Sequence, residues 1–178
     1  MSDVIVRALT EADLPGVQSI YAHHVLHGLA SFEEEPPPVE EMRERWQKVL
    51  ALGLPYLAAE LDGAVVGYSY ASSYRPRPAY RFTVENSVYV RDGLAGRGIG
   101  KALLDQLIAH CEAGPWRQMM AVIGDRDNEA SIALHRRCGF RFIGILEAVG
   151  HKHGRWVDSV LMQRGLAAPA KGCDTGRR

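Results

Sequence analysis

Cysteine is scarce in this sequence: Cys111, Cys138 and Cys173 stand far apart among 178 residues, and no two share a C-x-x-C spacing. An odd, scattered set argues against a disulfide framework and suits a reducing cytoplasm. Net charge is also lacking, since 21 Lys and Arg balance 21 Asp and Glu. That balance argues against a broad nucleic-acid or membrane footprint. There is no apolar run long enough for a transmembrane helix, and the first residues, with Asp3 and Arg7, do not read as a targeting segment. No internal repeat or linker divides the chain. What remains is 47% hydrophobic and 24% charged, the balance of one globular domain, expected over residues 1–166. Residues 167–178, where the sequence turns to Ala, Pro, Lys, Gly and Thr, read as a disordered tail.

Val4, Val6 and Ala8 alternate as a strand does, and Leu14, Val17, Tyr21 and Val25 recur at helical spacing. A second helix carries Val39, Met42, Trp46 and Val49, entered through Pro36-Pro37-Pro38. Asp62-Gly63 predicts a tight hairpin between strands at 56–61 and 64–74. Two prolines make Arg75-Pro76-Arg77-Pro78 a loop, and a strand rich in Val and Tyr follows at 83–90. A glycine turn leads to a helix with Ile99, Leu103, Leu107 and Cys111 on one face. A strand at 119–123, a helix at 128–138 closed by Gly139, and strands at 140–146 and 156–162 complete the chain. The order β-α-α-β-β-β-α-β-α-β-β implies an α/β fold, a mixed sheet with helices on both faces.

Leu94-Ala95-Gly96-Arg97-Gly98-Ile99-Gly100-Lys101 joins the 83–90 strand to the next helix. Three alternating glycines let several backbone N–H groups approach one anion, and the helix start adds unpaired donors and the positive dipole end. Together they suit a pyrophosphate. A P-loop is excluded because Ala95 fills its first glycine position and Ala102 its hydroxyl position. A dinucleotide fingerprint fails as well, because Lys101 or Leu103 stands where its third glycine belongs. His23 and His27 have a zinc-like spacing but lack the glutamate of H-E-x-x-H and a third ligand, so no metal is expected.

Gly98-Ile99-Gly100, followed by Asn128-x-x-Ser131-x-x-Leu134-His135-x-x-x-Gly139-Phe140, resembles the two cofactor motifs of the GNAT N-acetyltransferases. Their [QR]-x-x-G-x-[GA] signature has Ala95 at its first position here, and His135 stands where the second pattern has tyrosine. The stretches TVENSVYV (83–90), AVIGDRDNEASIALHRRCGF (121–140) and GHKHGRWVD (150–158) narrow the resemblance to the phosphinothricin and methionine sulfone or sulfoximine acetyltransferase branch. It spans residues 4–166 and implies a mostly antiparallel twisted sheet, acetyl-CoA as cosubstrate and a homodimer. It also implies that Val88, Tyr89, Val90, Gly96, Arg97, Gly98, Ile99, Gly100, Lys101, Asn128 and Ser131 bind the cofactor.

The same resemblance makes Glu85 the general base and His135 a partner in proton transfer. Physical chemistry agrees: a reference α-amino group has a pKa of roughly 8, so a nearby carboxylate must take its proton, directly or through water. A backbone N–H near Val88 would stabilise the oxyanion. His135 could protonate the departing thiolate or help deprotonate the amine. Arg75 and Arg81 are candidates for binding a carboxylate, phosphinyl or sulfonyl group, and Phe32, Lys152 and His153 for walling the acceptor pocket. The expected reaction is direct acetyl transfer to the α-amino group of a small amino-acid analogue, phosphinothricin first and methionine sulfone or sulfoximine second. Its rivals are acetylation of peptide N-termini and a non-catalytic acyl-CoA-binding module.

Overall fold

Alternation at the start of the chain makes a short edge strand, β1 (Ile5–Ala8), which pairs antiparallel with β2 (Tyr56–Leu61). Asp13 then caps a 3-10 turn, its carboxylate accepting the Thr10 N–H and hydroxyl, both at 2.8 Å, before α1 (Leu14–His27). A loop over 28–38 leads to α2 (Val39–Ala51). The hairpin forms as Asp62-Gly63 predicts: both residues have positive φ, and Leu61 faces Ala64 at the start of β3 (Ala64–Ser73). β4 (Thr83–Val90), α3 (Ile99–Glu112), β5 (Gln118–Gly124), α4 (Glu129–Arg137), β6 (Arg141–Lys152) and β7 (Arg155–Gly165) follow. The computed structural model describes residues 4–166, so the expected tail at 167–178 lies outside the described residues.

The seven strands form one sheet in the order β1-β2-β3-β4-β5-β7-β6. Every neighbouring pair is antiparallel except β4–β5. Tyr68 faces the α1–α2 side, while the neighbouring Ser69 hydroxyl donates to the Leu103 carbonyl of α3 on the other side. α4 lies beside α3, with Leu134 against Gly100. The helices thus cover both faces, as the element order implies.

Leu103, Leu104 and Leu107 of α3 and Leu14, Val17 and Val25 of α1 are fully buried against the two faces. Each such side chain contributes roughly 2 kcal/mol by leaving water. Gly67 lets α3 sit close to β3, since a Cβ there would press on the Tyr89 carbonyl and on Leu103 and Ile99. This packing fixes where the first turn of α3 points.

Two expected strands are longer than the sequence pattern suggests. β6 runs to Lys152, because it bulges between Leu146 and Gly150 and then resumes pairing, and β7 runs to Gly165, where it pairs with Gln118 of β5. The bulge holds Ala148 at a φ of 50°, its N–H donated to the Asp158 carboxylate at 2.8 Å. Such a break hides the period-two alternation by which a strand is read.

Candidate active site

β4 and β5 pair only over Thr83–Glu85 and Gln118–Met120 and then part. β4 stays with β3 as far as Val90, and β5 stays with β7 as far as Gly124. The Thr83 carbonyl accepts from Tyr74, and the Arg91 N–H donates to Val66, so the odd-numbered residues of β4 bond to β3. By alternation the backbone groups of Val88 and Val90 face the gap. The His24 ring, 2.9 Å from the Val90 carbonyl, meets one of them there.

One end of this gap opens into a cavity of about 520 Å³. Leu94 to Gly96, Gly98 to Lys101 and the start of α4 wall it. Gly98 is the N-cap of α3 with φ 80°, a left-handed conformation that glycine adopts without cost, and no side chain caps the helix. The first N–H groups of α3 therefore face the cavity with no side-chain partner. This is the donor set that a pyrophosphate needs. Lys101 lines the same cavity but is paired with Asp105 one turn on.

The other end is a cavity of about 220 Å³ lined by Phe32, Glu85, Val88, Tyr89, Asn128, Ser131, His135 and Ser159, among others. Glu85 and Asn86 point to opposite faces of β4, and the Asn86 carboxamide meets His135 at 2.9 Å. Glu85 and His135 thus reach the cavity from opposite sides of the sheet, through the place where it is open. Burial raises the Glu85 pKa above the usual carboxylate range, and burial lowers that of His135 despite the Ser131 carbonyl. Asn128 accepts the Ser131 N–H at 3.2 Å as the N-cap of α4 and lines both cavities.

A cleft through a parted parallel pair, with an uncapped glycine helix start at one end and a half-buried carboxylate at the other, is an acyl-CoA transferase architecture. A family profile described as Acetyltransferase (GNAT) domain matches residues 6–161. The chain belongs to the GNAT acetyltransferases. Among relatives, it is 58% identical to a phosphinothricin N-acetyltransferase of Alcaligenes faecalis, over 92% of this chain and 83% of that one. It is 41% identical to an L-methionine sulfoximine/L-methionine sulfone acetyltransferase of Pseudomonas paraeruginosa, over 90% and 94%. A crystal structure of a GNAT phosphinothricin acetyltransferase from Sinorhizobium meliloti in complex with AcCoA superposes with a TM-score of 0.91 at 45% identity. That match covers 97% of this chain and 94% of the other.

Within this GNAT frame, the residues expected from sequence separate into two groups. Glu85, His135, Phe32, Val88, Tyr89, Val90, Gly96, Gly98, Ile99, Gly100, Lys101, Asn128 and Ser131 all line one or both of the two cavities. Five others do not. Arg97 is exposed at the tip of the turn. Arg75 stacks on Tyr74 and Tyr80, and Arg81 lies over Phe82 and donates to the Pro78 carbonyl, so neither guanidinium is aimed at the cleft. His153 is exposed in the β6–β7 turn with φ 50°. Lys152 is buried, its ammonium donating to the Ser31 carbonyl at 2.7 Å, which ties down the 28–38 loop from behind.

Sequence reasoning named Phe32 as a pocket wall but missed how its loop is held. Phe32 packs on Gly150, where any Cβ would collide with its ring, and Gly124 is bare because the Leu29 carbonyl lies against it. Ser31 shares a 2.9 Å hydrogen bond with Tyr21, whose hydroxyl donates to Glu33 at 2.8 Å. Arg45 donates to both Glu33 oxygens, and although burial pushes the carboxyl up, Arg45 and Tyr21 together keep it below the usual range. Glu33, which reads as a solvated loop residue, is thus an anchor. Phe32 and the glycines at 124 and 150 were visible in the sequence, but nothing local links positions so far apart.

Proposed function

We propose that this protein transfers acetyl from acetyl-CoA to the α-amino group of a small amino-acid analogue, phosphinothricin first and methionine sulfone or sulfoximine second. The observation that carries the proposal is the meeting of two neighbouring cavities at the β4–β5 gap, where they share Val88, Tyr89, Asn128 and Ser131 as walls, with Glu85 lining the smaller one. Bound acetyl-CoA would supply an activated acyl group. The N–H groups at the start of α3 would bind its pyrophosphate, and those of Val88 and Val90 would hold its acyl arm and polarise its carbonyl. Glu85, with its raised pKa, is suited to taking the amine proton near neutral pH. Phe32 and Ala30 of the 28–38 loop would wall the acceptor on one side. The relatives named phosphinothricin and methionine sulfoximine acetyltransferases support this acceptor class.

Two further features fit the same reading. Cys111 and Cys138 are buried free thiols, which suits a reducing cytoplasm. Phe142, Ile145, Leu146 and Val149 on the edge strand β6 and Trp156 on β7 are exposed, Trp156 by 70%, and this exposed apolar area at the sheet edge supports a homodimer. Light scattering would report a dimer, and Trp156→Glu a monomer. A single monomeric mass for the unaltered protein excludes that assembly.

A thiol-release assay with acetyl-CoA tests the activity. Turnover is expected with phosphinothricin and methionine sulfoximine, and Glu85→Gln should lower kcat about 100-fold or more while coenzyme A affinity is kept. Turnover of peptide N-termini alone would replace the amino-acid reading. Coenzyme A binding with no turnover of any amine would leave a binding module.

A further inference from the structure

His135 has an acceptor on each side of its ring. Nδ1 lies 2.8 Å from the Ser131 carbonyl oxygen, with the Ser131 hydroxyl farther away at 3.4 Å, and Nε2 lies 2.9 Å from the side-chain oxygen of Asn86. The orientation of Asn86 is not free, because its amide nitrogen donates to the Met120 carbonyl at 3.0 Å. Turning it over would set its oxygen against that carbonyl. A neutral imidazole has one N–H and cannot satisfy two acceptors, whereas an imidazolium can. Burial, with the residue only 4% exposed, opposes that charge. Phe140 stands edge-on to the ring. Of the ionisable groups on the surrounding elements, Glu85 of β4 shares the cavity, Cys138 at the C-terminal cap of α4 bonds Asp105 of α3, and Arg136 and Arg137 are exposed.

Asn86 also stands at a decisive place. Glu85↔Met120 is the last rung between β4 and β5, and the Asn86 amide fastens to Met120 at that rung. One carboxamide therefore joins β4, β5 and α4 where the cleft opens. We propose that Asn86 is a positioning residue for acetyl transfer. Its oxygen gives His135 the second acceptor that lets the ring hold a proton, and its nitrogen sets the opening of the cleft. Transfer removes one proton from the amine nitrogen and delivers one to the departing sulfur. A ring that takes up and returns one proton per turnover leaves that balance intact. This inference rests on the cleft being the site of acetyl transfer.

The test uses the full chain, 15N-labelled, as wild type, Asn86→Asp and Asn86→Leu, with His135→Gln to assign the ring signals. NMR titration of the His135 ring requires no turnover, so it is independent of the acceptor assignment. A carboxylate at Nε2 should raise the His135 midpoint by about one unit or more, and leucine should lower it. The kcat–pH profile should move in the same direction, with kcat about 10-fold lower in Asn86→Leu and the KM for acetyl-CoA within about threefold. Should Asn86→Leu fail to fold, the Asp variant alone decides the matter. An unmoved His135 midpoint in Asn86→Asp, or a change in KM for acetyl-CoA with kcat intact, overturns the proposal.

Discussion

At its Leu94–Lys101 end the cleft is walled by backbone from one turn and one helix start, whereas at its Phe32–Glu85 end it is walled by side chains from several elements. The first end needs only glycine and the fixed geometry of α3, so it tolerates Ala95 in place of the usual family residue. The second depends on contacts between residues far apart in sequence: Lys152 on Ser31, Phe32 on Gly150, Asn86 on His135. Under the proposed assignment, cofactor recognition is local and acceptor recognition is distributed along the chain. The difference fits a family in which one cosubstrate is shared and the acceptors vary.

That contrast can be broken most sharply at Glu85. Glu85→Gln should remove most of kcat while leaving the backbone-walled end untouched. In the unaltered enzyme kcat should fall as pH drops through the raised pKa of Glu85, since the protonated acid cannot accept the amine proton. The same shift has a stability consequence. A carboxyl whose folded pKa is raised stabilises the fold only below its unfolded value, roughly 4.3, and loses that contribution as pH rises through the folded value. Glu85→Gln should therefore melt higher than wild type at pH 7 and equal to it near pH 3. A lower melting temperature at pH 7 would mean that Glu85 is held by a favourable partner.

The next largest effect is expected at Gly98. A branched residue such as Val cannot take its φ of 80° without strain, so Gly98→Val should weaken coenzyme A binding at least 30-fold, about 2 kcal/mol. Titration calorimetry would measure it, and unchanged affinity would remove the helix start from the cofactor site. A milder change at the other end makes the mirror experiment. Gly150→Ala pushes on Phe32 and should raise the KM of the acceptor about tenfold with that of acetyl-CoA unchanged. Equal changes in both constants would erase the distinction between the two ends.

How much of this was legible in the sequence follows the same division. The element order, the Asp62-Gly63 hairpin and the Gly96–Gly100 turn were readable because each is decided by neighbours in the chain. The cofactor-end candidates other than Arg97 line the cavity for the same reason. The arginines at 75 and 81 were plausible by chemistry, but their direction depends on Tyr74, Tyr80 and Phe82 offering nearer faces to stack on. Lys152 looked like a pocket cation, yet the loop it ties down lies some 120 positions away in the chain. His24 and Ser159 reach the cleft without any motif. Position along the chain carries no signal for such meetings.

The smallest effect on catalysis is expected where neither end is touched. Asp13 takes two hydrogen bonds from Arg7, at 2.7 and 2.8 Å, and two from Thr10, far from the cleft. The Arg7 guanidinium beside it holds its carboxyl well below the usual range. A depressed carboxylate pKa contributes stability that is present above the unfolded value, roughly 3.9, and is lost as pH falls through the folded one. Asp13→Asn keeps the shape but not the charge, and should cost about 2 kcal/mol at pH 7. For a domain of this size that is a fall of about 5 °C in melting temperature. The gap between the two proteins should narrow as the pH is lowered below 3, while both kinetic constants stay within about twofold of wild type at 25 °C. Were acceptor KM to rise instead, α1 and its cap would belong to the distributed end of the cleft, and the boundary between the two ends would have to be redrawn through Tyr21 and Ser31.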